Sequence, residues 1–214
     1  MSRIIDRGLE EQSVLITRMA ELTYETLALS IQGYLKGKSV EDEVKEMSDM
    51  LVAMADKVDD ETFELIARFQ PVASDLRTIK SYMKIGNDFS RYGRYALDIS
   101  YINEQVNGLK ECEAWVKGYI EEMSEKVLLM VKISIDSLRK HDINLAKTIS
   151  QTEREVDKMY IDYLQKLICV EQANSKCVIS SALMTRYLER IADHATYVCE
   201  SIVYIVTGEK ITLS

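Results

Sequence analysis

The chain has 214 residues, with a single proline, eight glycines and a formal net charge of −8. So few chain breakers in a sequence rich in Leu, Ile, Met, Ala, Glu, Lys and Arg predict an all-α protein, long enough to bury a sizeable core. Without a lysine or arginine block the acidic chain excludes nucleic-acid binding, which needs a basic patch against phosphates, and its surface suits divalent or trivalent cations.

The amino-terminal MSRIIDRGLEEQ has no long apolar run, so no secretory signal is expected. The first helix is predicted from roughly Gly8 to Leu35, ending at GYLKGKS, and the second from Val40 to Phe69. Pro71 is placed at the start of the third, where its missing N–H costs nothing, and that helix runs to Val106. The Asn-Gly pair in VNGLK (106–110) is the clearest turn signal of the chain.

The pattern then begins again. A fourth helix is expected over Glu111–Lys140 and a fifth over Ile143–Val170, with Asp142 as its N-cap. The sixth runs from near Asn174 to Val206, with Gly208 as its stop. The most apolar stretch, KVLLMVKISI (126–135), is interrupted by lysines and falls far short of the roughly 20 apolar residues that span a bilayer, so no membrane insertion is expected.

Met184, Leu188, Ile191, Ala195, Val198, Ile202 and Ile205 form a heptad-like seam on the sixth helix, and Leu145, Ile149, Thr152, Val156, Met159 and Tyr163 keep the same rhythm on the fifth. Such seams belong to long antiparallel helices packed at shallow angles. Three helices, a turn and three more helices make an internal repeat of about 100 residues. KIGNDFSRYGRYA (84–96) lies on LMTRYLERIADHA (183–195) without a gap, keeping Ile85 with Met184, Phe89 with Leu188 and Tyr92 with Ile191. Two tandem three-helix bundles follow, one over 1–107 and one over 108–214.

Two acid pairs stand at i, i+4 on the second repeat: Glu153 with Asp157 and Glu189 with Asp193. Counting about 100° per residue, the first pair lies roughly 90° and 130° from its helix's seam, the second roughly 130° and 170°, so all four face away from the seams. Spacing alone says little, because Asp6/Glu10, Glu21/Glu25, Asp42/Glu46, Asp56/Asp60, Asp60/Glu64 and Glu121/Glu125 share it. Yet like charges at this spacing repel, a cation turns the repulsion into ligation, and carboxylates suit hard metals such as Fe³⁺, Mn²⁺, Mg²⁺ or Ca²⁺.

The other reactive residues read as structural. The four cysteines, Cys112, Cys169, Cys177 and Cys199, show no CxxC spacing and are expected to be reduced core thiols of a cytosolic protein. His194 is expected at the surface, Arg190 and Arg91 in pairs with carboxylates of neighbouring helices, and Trp115, Tyr160, Tyr163, Tyr187, Tyr204 and the ten methionines in packing. A di-iron carboxylate enzyme would need Glu-x-x-His pairs, but Leu138 and Ile191 stand three residues before His141 and His194, so no enzyme is expected.

RYLERIADHATYVCESIVYIVTGEKI (186–211) and EREVDKMY (153–160), supported by SDLRTIKSYMKIGNDFSRYG (74–93), resemble the PhoU family of phosphate-uptake regulators over essentially the whole chain. The resemblance implies two tandem three-helix bundles with (Glu/Asp)-x-x-x-Asp motifs on the second and third helix of each. It implies a surface metal site, iron first and multinuclear in form, with Zn, Mn, Mg or Ca as alternatives. Glu153, Asp157, Glu189 and Asp193 match the motifs. Ser90 and Arg94 replace the acids of the third-helix motif in the first repeat, and neither Ser48/Val52 nor Asp49/Ala53 completes the second-helix motif, so one metal site is implied rather than two. Replacing Asp49 and Asp88 is expected to leave metal retention unchanged. The resemblance further implies a cytoplasmic homodimer that negatively regulates phosphate import and the phosphate-starvation response through a phosphate ABC transporter, a sensor kinase, or both. A regulatory module of another ion transporter, such as potassium uptake, and a metal-free helical adaptor are the alternatives.

Overall fold

The computed structural model describes residues 4–170 and 174–214, leaving the first three residues of the amino-terminal stretch outside it. Its helices are α1 (Ile4–Lys36), α2 (Glu41–Phe69), α3 (Ala73–Val106), α4 (Ala114–Lys140), α5 (Ile143–Lys147), α6 (Ile149–Ile168) and α7 (Ser175–Thr207), and no strand occurs among the described residues. Thr148 keeps right-handed helical angles (φ −68°, ψ −16°), so α5 and α6 form one interrupted rod, and six long helical rods result. The interruption arises locally. The Thr148 hydroxyl donates to the Leu145 carbonyl at 2.7 Å and its backbone N–H donates to the same oxygen at 3.1 Å, displacing the i−4 bond.

The helix ends follow the turn chemistry, with one shift. Gln70 closes α2 in the left-handed region at φ 43°, donating its N–H to the Ile66 carbonyl. Pro71 follows it and lies in the link before α3 instead of opening that helix, as a residue ahead of proline is disfavoured in the α conformation. Asn107 and Gly108 turn the chain between repeats at φ 62° and 63°. A Cβ at Gly108 would collide with the Tyr34 carbonyl oxygen, so glycine is required there for both reasons. The Asp142 carboxylate caps α5, accepting from Asn144 N–H at 2.9 Å and Leu145 N–H at 3.0 Å.

α1, α2 and α3 form one three-helix bundle, and α4, the α5–α6 rod and α7 the other. Within the second, Met184, Leu188, Ile191, Ala195, Val198 and Ile202 of the α7 seam are buried, as are Ile149, Val156 and Tyr163 opposite them. The bundles are packed on each other through α3 against α7 and α1 against α4, and their apolar cores merge into one cluster that runs from Leu15 to Leu213. Among the described residues no helix is long and apolar enough to cross a membrane.

The cysteine expectation needs correction. Cys112, in the link before α4, and Cys177, in the first turn of α7, form a disulfide across 65 positions of sequence, with Cα atoms 5.4 Å apart. Nothing in their spacing announces it, because only the fold brings α7's start beside that link. Cys199 is a buried thiol whose pKa burial pushes well up, while Cys169 is exposed.

Candidate metal centre

Glu153 and Asp157 stand one turn apart on α6, and Glu189 and Asp193 one turn apart on α7. The two helices pack against each other, so their acid faces share one groove. Carboxylate oxygens of Glu153, Asp157 and Asp193 lie within 4.8 Å of one another. Asp157 is exposed and Asp193 half-buried, but Glu153 is only 3% exposed, although its position on the α6 wheel alone points it sideways. It belongs to the buried stripe Ile149, Glu153, Val156 and Tyr163, because α7 covers that flank.

Glu189 is held apart from the other three. Both its oxygens accept from Arg186 Nη1, at 2.8 and 2.7 Å, and Arg190 Nε is 3.8 Å away. Arg190 Nη1 also donates to Asp193 Oδ2 at 3.2 Å, so this arginine pairs along its own helix rather than with a neighbouring one. Lys126 of α4 braces the back of α6 by a 2.8 Å bond to Glu155.

Burial pushes the Glu153 carboxyl up to about 7, helped by the negative charges of Asp157 and Asp193 and opposed by Arg154. Burial also raises Asp193, against Arg190, and raises Glu189, there assisted by Asp193. Glu153 Oε2 is buried without a hydrogen-bond partner. An orphaned buried carboxylate oxygen beside two further carboxylates is a donor set that fits a hard cation.

Among the described residues the first repeat offers no counterpart. On the repeat alignment Gly93 takes the place of Ala192, and a Cβ there would lie 3.2 Å from Ser48 Cα and 3.0 Å from Leu51 Cδ1. α2 and α3 therefore approach closely at Gly93. Ser48 is buried in that contact, while Asp49, Ala53 and Arg94 are exposed.

His194 corrects the surface expectation. Its Nδ1 is 2.8 Å from Asp88 Oδ1, its Nε2 is 3.5 Å from the Tyr95 hydroxyl, and the rings of Tyr92 and Tyr197 pack around it. Asp88 is buried, so the pair is a built link between α3 and α7. A signal was present: the alignment sets His194 against Tyr95, and the two rings meet at 5.7 Å where the equivalent helices cross.

The fold and this groove define an all-α tandem-repeat protein with a carboxylate cluster on its second repeat. The chain belongs to the PhoU family: the PhoU domain matches residues 16–102 and again residues 120–202. It is 27% identical to the phosphate-specific transport system accessory protein PhoU homolog of Clostridium acetobutylicum, covering 99% of this chain and 98% of that one. It is 30% identical to the protein of the same description from Pseudomonas aeruginosa, covering 79% of this chain and 71% of that one. The crystal structure of PhoU from Pseudomonas aeruginosa superposes with a TM-score of 0.89 at 26% identity, over 95% of this chain and 99% of that chain. PhoU from Streptococcus pneumoniae shares the fold, with a TM-score of 0.75 at 22% identity, over 97% and 99%.

Proposed function

We propose that this chain is a regulator of phosphate uptake that restrains import and the starvation response, and that it carries one metal site on its second repeat. Family membership supports the phosphate-transport role, since the relatives are named as accessory proteins of that system. The observation that carries the metal is Glu153: a buried carboxyl with an orphaned oxygen, beside Asp157 and Asp193. Glu153, Asp157 and Asp193 would hold the cation, iron before Mn, Zn, Mg or Ca, and Glu189 would join only on release from Arg186. A bound cation supplies positive charge that cancels carboxylate repulsion and ties α6 to α7. The chain's own part is to keep the donors converged: burial fixes Glu153, Arg190 orients Asp193, and Lys126 holds α6 in place. The partners would be the phosphate ABC transporter, a sensor kinase, or both, at the cytoplasmic membrane face, with the chain as a homodimer.

Elemental analysis of the purified protein tests the site. Replacing Asp157 and Asp193 together by alanine should remove the metal while leaving helicity nearly intact, since Asp157 is exposed and Asp193 half-buried. Full metal retention would mean that these acids are a solvated face. The regulatory reading is tested in cells supplied with ample phosphate: deleting the chain should raise phosphate uptake, and unchanged uptake would remove it from phosphate control.

A further inference from the structure

Further along α7 from the carboxylate cluster, toward the helix's carboxy-terminal end, α3, α7 and the carboxy-terminal segment line a cleft of about 330 Å³. Lys80, Ser81 and Lys84 line it from α3, Ser201, Tyr204 and Glu200 from α7, and Lys210 from the segment after Gly208. Three exposed lysines and one glutamate thus line it, an excess of two positive charges among the lining side chains on a chain whose net charge is −8. Lys80 and Lys84 are an i, i+4 like-charge pair, which repels on a helix as the acids on α6 and α7 do. No ion pair with Lys80, Lys84 or Lys210 is formed among the described residues. The one acid is already engaged, because Glu200 Oε1 accepts the Leu213 N–H at 3.0 Å, and this bond folds the segment carrying Lys210 over the cleft. Just beyond, Arg77 packs on Gly208, with its Nε buried and without a partner.

We infer that this cleft binds a small phosphate-type dianion, gripped by Lys80, Lys84 and Lys210, with the Tyr204 and Ser81 hydroxyls as neutral donors. Two excess positive charges match a dianion, and ammonium groups on flexible stems can close on a tetrahedral oxyanion from three walls. The choice of phosphate over other dianions rests on the proposed role in phosphate control. Such a site would let the regulator sense the ion whose import it restrains. Lys84 also lies over the Tyr197 ring at 5.4 Å, and that ring packs on His194 beside Asp193, so cleft and metal groove share one row of side chains.

Equilibrium dialysis of the full chain against labelled inorganic phosphate, above neutral pH where phosphate is a dianion, tests the inference. One saturable site per chain is expected, with affinity falling by about tenfold or more in the Lys80→Gln/Lys84→Gln variant, where two attractive charges are lost. The Asp157→Ala/Asp193→Ala variant separates phosphate held by a bound metal: it should keep the saturable site. Circular dichroism checks that both variants are folded, and Lys210→Gln alone, outside every helix, should weaken binding without a folding risk. The inference is overturned by no saturable binding to the wild type, by equal affinity in the lysine variants, or by binding lost only with the carboxylates. Unchanged phosphate uptake on deletion would overturn the regulatory reading separately, since dialysis does not depend on it.

Discussion

Glu153 shows how one buried acid can be ambiguous in sequence and informative in place. Its spacing to Asp157 recurs throughout this acidic chain, and only its burial between α6 and α7 distinguishes it. Burial and two neighbouring charges lift its pKa from an ordinary 4.5 to about 7. Between those two values the folded, metal-free protein holds a proton that the unfolded chain has released. Folding stability therefore falls as pH rises through this window, by an amount on the order of 1 kcal/mol once solvent screening at the open side of the cluster is allowed for. Glu153→Gln keeps the shape and removes the titration. Urea unfolding of metal-free protein at acidic and mildly alkaline pH should show the wild type losing that amount relative to the variant. Parallel profiles for the two proteins would refute the assignment. Metal affinity should run the opposite way, rising with pH up to about 7 as the competing proton leaves.

Helix starts, stops and seams were legible where local chemistry decides them. Asp142 caps α5 as its position before Ile143 predicts, and the α7 seam is buried almost to its end. Asp142→Ala should cost about 1 kcal/mol in urea unfolding, because two first-turn N–H groups lose their acceptor. No loss of stability in that variant would show that the rod is held by packing alone. The break at Thr148 was not legible, since the apolar period passes through it and only a hydroxyl choosing the Leu145 carbonyl creates it. A helical wheel read one helix at a time also turns Glu153 sideways from its seam, and His194 is expected at the surface. Such a wheel holds no information about which neighbour covers a flank, and α7 covers the first while α3 covers the second. The three-carboxylate cluster was thus readable as a set of residues, whereas Glu189's capture by Arg186 and the Cys112–Cys177 bond depend on rotamers and chain crossings that spacing does not encode.

At the scale of the molecule, two repeats in sequence need not be two units of stability. The expected division at 107/108 falls at a true turn, but the core does not divide there. The Tyr34 hydroxyl of α1 donates to Ser180 Oγ of α7 at 3.1 Å, deep in the interior. Arg139 of α4 pairs with Glu21 of α1 at 2.7 Å, and Asp88 of α3 with His194 of α7. Separating the halves would expose the fully buried Tyr34 and Tyr92 to water and break the Asp88–His194 link. Such losses exceed what a small domain of marginal stability tolerates. The intact chain should therefore unfold in one cooperative transition, followed together by far-ultraviolet circular dichroism and tyrosine absorbance, despite a length at which independent domains often appear. Fragments 1–107 and 108–214 made separately should each lack a cooperative transition and regain one only when mixed. Two resolved transitions in the intact chain, or a cooperative melt from either fragment alone, would establish that the repeats fold independently and that the shared core is an interface rather than a common interior.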